Sequence, residues 1–150
     1  MFYLECEECF DAAHFLRDYD GKCRNIHGHR WRVIAQAGGV LQQEKQTRGM
    51  VMDFAVLRTA LKDICRKLDH SLIYEKDSLR ERTLTALREE SMLLTEVPFR
   101  PTAENFAAHF FSLLTARGVA VTAVKVYETP NNCAVYTGEL NASSREIHQH

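Results

Sequence analysis

The sequence lacks the features that tie a protein to membranes, to nucleic acid or to the cell exterior. It has no run of about 18 apolar residues, the length that a membrane-spanning helix needs. Its 19 Lys and Arg residues are matched by 20 Asp and Glu, so it lacks the basic surplus of nucleic-acid or membrane coats. The N-terminal segment MFYLECEECF is acidic where a secretion signal is basic. We therefore expect a cytoplasmic protein, in which a local basic patch could still bind a phosphorylated small molecule.

A disulfide framework and the common catalytic loops are also missing. Five cysteines, an odd number spread over 150 residues, favour a reducing compartment in which a special cysteine is a ligand or a reactive thiol. No glycine-rich phosphate loop and no Gly-x-Ser-x-Gly elbow occur. Cys6 and Cys9 match Cys-x-x-Cys, but residues three apart on a strand point to opposite faces. We interpret both as packing residues, together with Cys65 and Cys133.

The sequence does contain the pattern of a single α+β domain over residues 1–150. Alternating apolar residues predict strands at 2–10 and 29–37, and a hairpin over 119–138. Helical spacing predicts a helix capped by Asp53 that runs to about Leu68, and a second helix that begins after the cap Thr102 and ends at Gly118. This order predicts an antiparallel four-stranded sheet with two main helices on one face.

Finer features complete this prediction. The first helix should bury a stripe of Phe54, Leu57, Leu61, Ile64 and Leu68. Residues 75–97 form an insert between the main helices, where Ser78 and Glu81 match a capping box and favour an extra short helix. The polar tail, residues 141–150, is expected to be frayed.

The strongest chemical signal is the segment CRNIHGH at residues 23–29. His27 and His29 would share one face of a strand, and an antiparallel return would bring His14 beside them. Three neutral imidazoles with an open position are typical of a catalytic zinc site, although histidines of a hairpin can also be merely structural. Cys23 is either a fourth ligand that closes the site or a thiolate base near the metal, and the spacing leaves both alternatives open.

Three acidic positions give weaker signals. Asp69 precedes His70, and a carboxylate can orient an imidazole or relay a proton, although a histidine at a helix C-terminus is favourable without any function. Glu128 ends a buried strand, where its carboxylate could hold an N–H pair of a heterocycle. Glu104 lies in the first turn of a helix, where an acid stabilises the dipole regardless of function.

Taken in this order, the segments resemble the 6-pyruvoyltetrahydropterin synthase family over nearly the whole chain. The matching segments are FDAAH at 10–14, CRNIHGH at 23–29, GMVMDF at 49–54, LDH at 68–70, PTAEN at 101–105 and YET at 127–129. The three residues between Cys23 and His27 are similar to the gap in the carboxy-forming bacterial branch. The resemblance implies the tunnelling fold and a homo-oligomer, a hexamer with active sites at subunit interfaces. The stretch 75–97 is longer than in compact members.

The resemblance also implies a role for each candidate residue. The implied zinc ligands are His14, His27 and His29. Cys23 resembles the catalytic base, and Asp69 with His70 resembles the proton relay. Glu128 resembles the catalytic acid that anchors the pterin ring, and the substrate-binding residues Thr102 and Glu104 would lie near it.

The implied activity is that of a zinc-dependent lyase. It would convert 7,8-dihydroneopterin triphosphate and water to 6-carboxy-5,6,7,8-tetrahydropterin, acetaldehyde and triphosphate, in queuosine biosynthesis. One alternative is the pyruvoyl-forming lyase that eliminates triphosphate. Another is a non-catalytic, zinc-stabilised pterin-binding module.

Overall fold

The computed structural model describes residues 1–138, which form six strands, three α-helices and one 3₁₀ turn. The strands are β1 (Phe2–His14), β2 (His27–Gly39), β3 (Ser71–Glu75), β4 (Leu94–Val97), β5 (Val121–Thr129) and β6 (Asn132–Tyr136). The helices are α1 (Phe54–Leu68), α2 (Glu81–Glu89) and α3 (Ala103–Ala116), and the 3₁₀ turn is Lys22–Arg24. No helix within this part of the chain has the length and apolar character needed to cross a membrane. The tail expected to fray lies outside the described residues.

All six strands belong to one sheet with the order β4-β3-β1-β2-β5-β6. The pairs β1–β2, β2–β5 and β5–β6 are antiparallel, whereas β1–β3 and β3–β4 are parallel. The α+β prediction is confirmed, but the prediction of four antiparallel strands is wrong. The two additional strands have only five and four residues, which is too short for an alternating pattern to stand out in the sequence.

The β1–β2 ladder is longer than predicted, and its register determines which side chains of the two central strands face the core. Its register runs from Phe2 opposite Gly39 to His14 opposite His27, so His14 is the last residue of a strand. Because paired residues share a face, Phe10 and its partner Trp31 both point toward the core. By the same alternation, His14, His27 and His29 lie on the core-facing side of the sheet, at the end of the ladder.

The two predicted helix caps form. The Asp53 carboxylate accepts a hydrogen bond from the Ala55 amide at 2.8 Å, and the Thr102 hydroxyl accepts one from the Asn105 amide at 3.3 Å. Helix α3 ends just before Gly118, whose φ of +78° favours glycine.

The buried stripe of α1 is confirmed except at its first residue. Leu57, Leu61, Ile64 and Leu68 are buried, but Phe54 is 48% exposed. Phe54 is the first residue of the helix and lines a surface groove with Tyr3 and Met50, so its expected burial is wrong.

An aromatic cluster fills the space between the sheet and the helices. Trp31 stacks on Phe10 with ring centroids 6.0 Å apart and meets Phe106 edge-on at 5.0 Å. Trp31, Phe106 and Phe110 are fully buried. Burial of these rings contributes several kcal/mol of stability, about 1.5–3 kcal/mol for each large side chain. Through Trp31, this cluster also contacts the rings of His14 and His29.

A smaller cluster of Phe15, Tyr74 and Leu84 holds α2 against the sheet. Helix α2 begins at Glu81 after Arg80, whose side chain makes no capping hydrogen bond. The capping box expected from Ser78 therefore does not form, and the buried Ser78 hydroxyl has no hydrogen-bond partner within residues 1–138.

Candidate metal centre and active site

Three imidazoles converge at the end of the β1–β2 ladder. His14 lies opposite His27, and His29 follows two residues later on the same face of β2. One ligand atom from each of the three rings can be chosen so that all lie within 4.8 Å of one another. Trp31 supports the cluster from the core side, with its ring centroid 4.9 Å from that of His14 and 5.4 Å from that of His29.

Backbone carbonyls orient two of these rings. Nδ1–H of His14 donates to the Pro101 carbonyl at 2.7 Å, and Nδ1–H of His27 donates to the Asn25 carbonyl at 2.7 Å. A carbonyl can only accept, so the proton of each neutral ring is on Nδ1 and the lone pair is on Nε2. Both Nε2 atoms point into the cluster, as expected of metal-binding imidazoles.

Burial favours the neutral form of His14 and His29. It lowers the pKa of His14 to about 4, against the opposing effect of the hydrogen bond to Pro101. Burial also lowers the pKa of His29, although the nearby Glu128 carboxylate acts in the opposite direction. Neutral imidazole is the form that binds a metal ion.

The donor set fits a divalent metal ion. The Nε2 atoms of His14 and His27 are 3.1 Å apart, close to the roughly 3.3 Å between two nitrogens bound to tetrahedral zinc. Nε2 of His29 is buried and has no hydrogen-bond partner within residues 1–138. Glu128 adds an oxygen 3.4 Å from Nε2 of His14 and 3.6 Å from Nε2 of His29. Nitrogen lone pairs and a carboxylate facing one point are stabilised by a cation.

A cavity of about 330 Å³ is bordered by Glu128, the carboxylate next to His14 and His29, and gathers four of the predicted residues. Cys23, Thr102, Glu104 and Glu128 all line it. The Cys23 carbonyl accepts a hydrogen bond from the Leu16 amide at 2.8 Å, which ties the 3₁₀ turn to the chain that leaves β1. In the described part of the chain the convergent metal-binding group consists of the three histidines without Cys23. The arrangement therefore keeps Cys23 next to the site and does not assemble a closed four-ligand centre.

The structure places Asp69 and His70 elsewhere. Oδ1 of Asp69 accepts a hydrogen bond from the Asp11 amide at 2.8 Å, and Nδ1 of His70 bonds to Oδ2 of Asp69 at 2.9 Å. Asp11 pairs with Arg30, and its side chain points to the face of the sheet opposite the three histidines. His70 lines a wider cavity of about 630 Å³, which it shares with His29 but to which neither Cys23 nor Glu128 contributes.

The Asp69–His70 pair is polarised like an ion pair. The hydrogen bond from the Asp11 amide and then that from His70 lower the pKa of Asp69, and the hydrogen bond to Asp69 raises the pKa of His70. The His70 side chain is 78% exposed, and its φ of +56° lies in the left-handed region that few non-glycine residues adopt. The pair therefore presents an exposed imidazole whose protonated form is favoured by the neighbouring carboxylate.

Sequence reasoning missed one cysteine of the cavity. Cys133 was interpreted as a packing residue, but it is exposed and lines the same cavity as Cys23. It follows the turn of the β5–β6 hairpin, where the alternation is too short to distinguish an inward from an outward position. By contrast, Cys6 and Cys65 are buried as expected.

The sequence matches one protein family over most of its length. The family model described as 6-pyruvoyl tetrahydropterin synthase matches residues 3–139. The 6-carboxy-5,6,7,8-tetrahydropterin synthase of Haemophilus influenzae is 34% identical over 139 residues, covering 91% of this chain and 99% of that protein. The protein of the same name from Synechocystis sp. is also 34% identical over 139 residues, covering 91% and 93% of the two chains.

Solved structures show the same fold. The crystal structure of an uncharacterized protein from Wolinella succinogenes has a TM-score of 0.76 at 25% identity, covering 92% of this chain and 98% of that chain. The 6-pyruvoyl tetrahydropterin synthase of Caenorhabditis elegans has a TM-score of 0.65 at 26% identity, covering 92% and 96%. By sequence and by fold, this chain belongs to the 6-pyruvoyl tetrahydropterin synthase family of enzymes.

Proposed function

We propose that the protein is a zinc-dependent lyase that converts 7,8-dihydroneopterin triphosphate and water to 6-carboxy-5,6,7,8-tetrahydropterin, acetaldehyde and triphosphate. The observation that carries this proposal is the convergence of three imidazoles, two of them oriented by backbone carbonyls, next to Glu128 and the cavity that Glu128 shares with Cys23. The names of the relatives from Haemophilus influenzae and Synechocystis sp. support the carboxy-forming reaction. The product belongs to queuosine biosynthesis, and we place the reaction in the cytoplasm.

His14, His27 and His29 are the residues that would hold the zinc ion. Bound zinc supplies a Lewis acid that makes protons on the substrate side chain more acidic. The Nδ1 protons of His14 and His27 are held by backbone carbonyls. The Nε2 lone pairs of both rings therefore point into the metal site before any ion binds.

Cys23 and Glu128 act on the substrate from the shared cavity. The Cys23 thiolate removes a proton from the substrate side chain, as its place beside the cation site favours. The Glu128 carboxylate accepts hydrogen bonds from adjacent N–H groups of the pterin, with Thr102 and Glu104 lining the same wall. The substrate side chain supplies the electrons that reduce the ring, so no nicotinamide is required.

The position of Asp69 and His70 leads us to propose that the active site is shared between subunits. Within one chain His70 lines a cavity to which neither Cys23 nor Glu128 contributes. A homo-oligomer, which we propose to be a hexamer, brings the pair of one subunit to the cavity of the next. There His70, held by Asp69, delivers and collects protons while the ring is reduced.

The test is a product analysis with the zinc-loaded protein. Purified protein is incubated with 7,8-dihydroneopterin triphosphate, the products are identified by mass spectrometry, and the Cys23→Ala variant is the control. Carboxy-tetrahydropterin with acetaldehyde, absent in the control, is the expected result. Pyruvoyl-tetrahydropterin would assign the chain to the pyruvoyl-forming reaction, and unchanged substrate with zinc present would overturn the proposal of a lyase.

A further inference from the structure

A further cavity, of about 440 Å³ and separate from the cavity of His70, adjoins the cavity of Cys23. The two share Leu16 and Tyr19 in their walls, so they lie side by side. Arg17 and Arg24 line this further cavity, which we call the arginine cavity. Arg24 directly follows Cys23 in the 3₁₀ turn, which places a guanidinium group within one residue of the proposed base.

A third guanidinium group, that of Arg100, contacts residues of this cavity wall. Nη2 of Arg100 donates to the Arg17 carbonyl at 2.8 Å, and its guanidinium carbon lies 5.8 Å from the centre of the Tyr19 ring. Nε of Arg100 is buried and has no hydrogen-bond partner in residues 1–138. The side chain of Arg100 is therefore fixed in place while part of its hydrogen-bonding capacity stays unused.

These positive charges are incompletely compensated. Asp18 pairs with Nε of Arg17 at 3.3 Å, and Nη1 of Arg17 donates to the Ser78 carbonyl at 3.0 Å. No carboxylate of the described residues forms an ion pair with Arg24 or Arg100. A group of arginines with free donors beside a cavity is typical of a site for phosphate groups, which guanidinium binds through two parallel hydrogen bonds.

We infer that Arg17 and Arg24 bind the triphosphate of the substrate in this cavity, with Arg100 as a positioning residue that supports Arg17. The inference rests on the proposed function, because it takes the substrate from there. A substrate whose reacting carbons lie at Cys23 can reach past Leu16 and Tyr19 into the arginine cavity with its triphosphate. Binding at Arg24 also holds the turn that carries Cys23, and so aligns the thiol with the substrate side chain.

The test compares Arg24→Gln with wild type and with Arg66→Gln, a control on an exposed position of α1. Loss of one charged hydrogen-bonding group is expected to raise KM for 7,8-dihydroneopterin triphosphate roughly tenfold, with a smaller effect on kcat. Inorganic tripolyphosphate should inhibit wild type and Arg66→Gln competitively and should lose most of this inhibition in Arg24→Gln. Arg24→Lys keeps the charge but loses the planar fork, so its KM should lie between those of wild type and Arg24→Gln.

Direct binding of tripolyphosphate, measured by calorimetry on the zinc-loaded protein, separates this inference from the proposed reaction. Binding by wild type and Arg66→Gln that is lost in Arg24→Gln and Arg17→Gln supports the subsite even if the product analysis fails. Equal binding and equal KM in Arg24→Gln and wild type would overturn it, even if the product is carboxy-tetrahydropterin. Melting temperatures of all variants show that loss of binding does not come from unfolding.

Discussion

The imidazoles of His14 and His27 face each other across the β1–β2 ladder, with their Nε2 atoms 3.1 Å apart. Each ring donates its Nδ1 proton to a backbone carbonyl, so each Nε2 carries a lone pair directed at the other. Two such lone pairs repel unless a proton or a metal ion lies between them. Two backbone carbonyls therefore fix the Nδ1–H tautomers of His14 and His27, which leaves both Nε2 lone pairs free to bind a cation.

His27→Ala should lose the metal. Removing one of three nitrogen ligands leaves two, which is too few for a stable zinc site in water. Zinc per chain, measured by elemental analysis after dialysis, should fall from one ion to a small residual fraction.

His109→Ala is the control for this variant. His109 is half-buried on α3 against Phe99, apart from the cluster, and its replacement should leave the zinc content unchanged. Stoichiometric zinc in His27→Ala would disprove the three-histidine site.

Cys23→Ala should keep zinc and lose turnover. Cys23 lines the cavity but does not belong to the convergent ligand group, so the alanine variant removes a base without opening the metal site. The rate of substrate consumption should fall by about 10²- to 10⁴-fold, the usual contribution of a general base. Cys133→Ala removes another thiol from the same cavity and should retain turnover. Loss of zinc in Cys23→Ala would show instead that Cys23 is a ligand.

Much of this site follows from local sequence patterns. Alternation along a strand puts His27 and His29 on one face, and a helix cap is a local hydrogen bond, so Thr102 could be predicted as a cap from sequence. The expectation that Thr102 lies near the site came from the resemblance. The resemblance supplied the role of Cys23, which the spacing alone left open.

Other features depend on contacts between distant segments. Glu128 approaches His14 only because β5 pairs with β2 in the register that sets Tyr127 opposite Arg32. The Pro101 carbonyl fixes the His14 tautomer across a separation of 87 residues, and no periodicity reports such a contact. The short strands β3 and β4 contain strand-favouring residues such as Ile73 and Tyr74, but with five and four residues they are too short for an alternating pattern to identify them.

Asp69→Asn should lower the pKa of His70. In the wild type the hydrogen bond to Asp69 and its negative charge raise that pKa, so His70 stays protonated to a higher pH than an ordinary histidine. Without that charge the imidazolium loses its partner and gives up its proton at lower pH. Titration of the His70 ring protons by NMR measures the shift directly.

Asp63→Asn, on an exposed position of α1, is the matched control and should leave the titration unchanged. If His70 donates a proton in the reaction, the alkaline limit of activity should move to lower pH in Asp69→Asn. Identical titration curves in Asp69→Asn and wild type would show that the hydrogen bond is absent in solution.

Two inactive variants should complement each other if the site is shared between subunits. Cys23→Ala and His70→Asn are suited to this test, because asparagine tolerates the left-handed backbone at residue 70 and removes only the imidazole. Random mixing in a symmetric oligomer restores roughly one quarter of the sites, so that fraction of wild-type turnover should return after joint refolding. A mixture that stays as inactive as each variant alone would contradict the shared site.

Removal of zinc should leave the domain folded. The histidines rest on Trp31 at the end of the ladder, while Trp31, Phe10 and Phe106 pack against one another without any contribution from the metal. A chelator should therefore lower the melting temperature by the few degrees that loss of a bound ligand accounts for, with the far-UV circular dichroism unchanged. Trp31→Ala, by contrast, should reduce the free energy of unfolding by about 3–5 kcal/mol, because it leaves a cavity under both the core and the histidines. A domain with its own hydrophobic core does not need the ion to fold. Unfolding of the chelated wild type at 25 °C would therefore identify the zinc as structural and would favour the binding-module alternative.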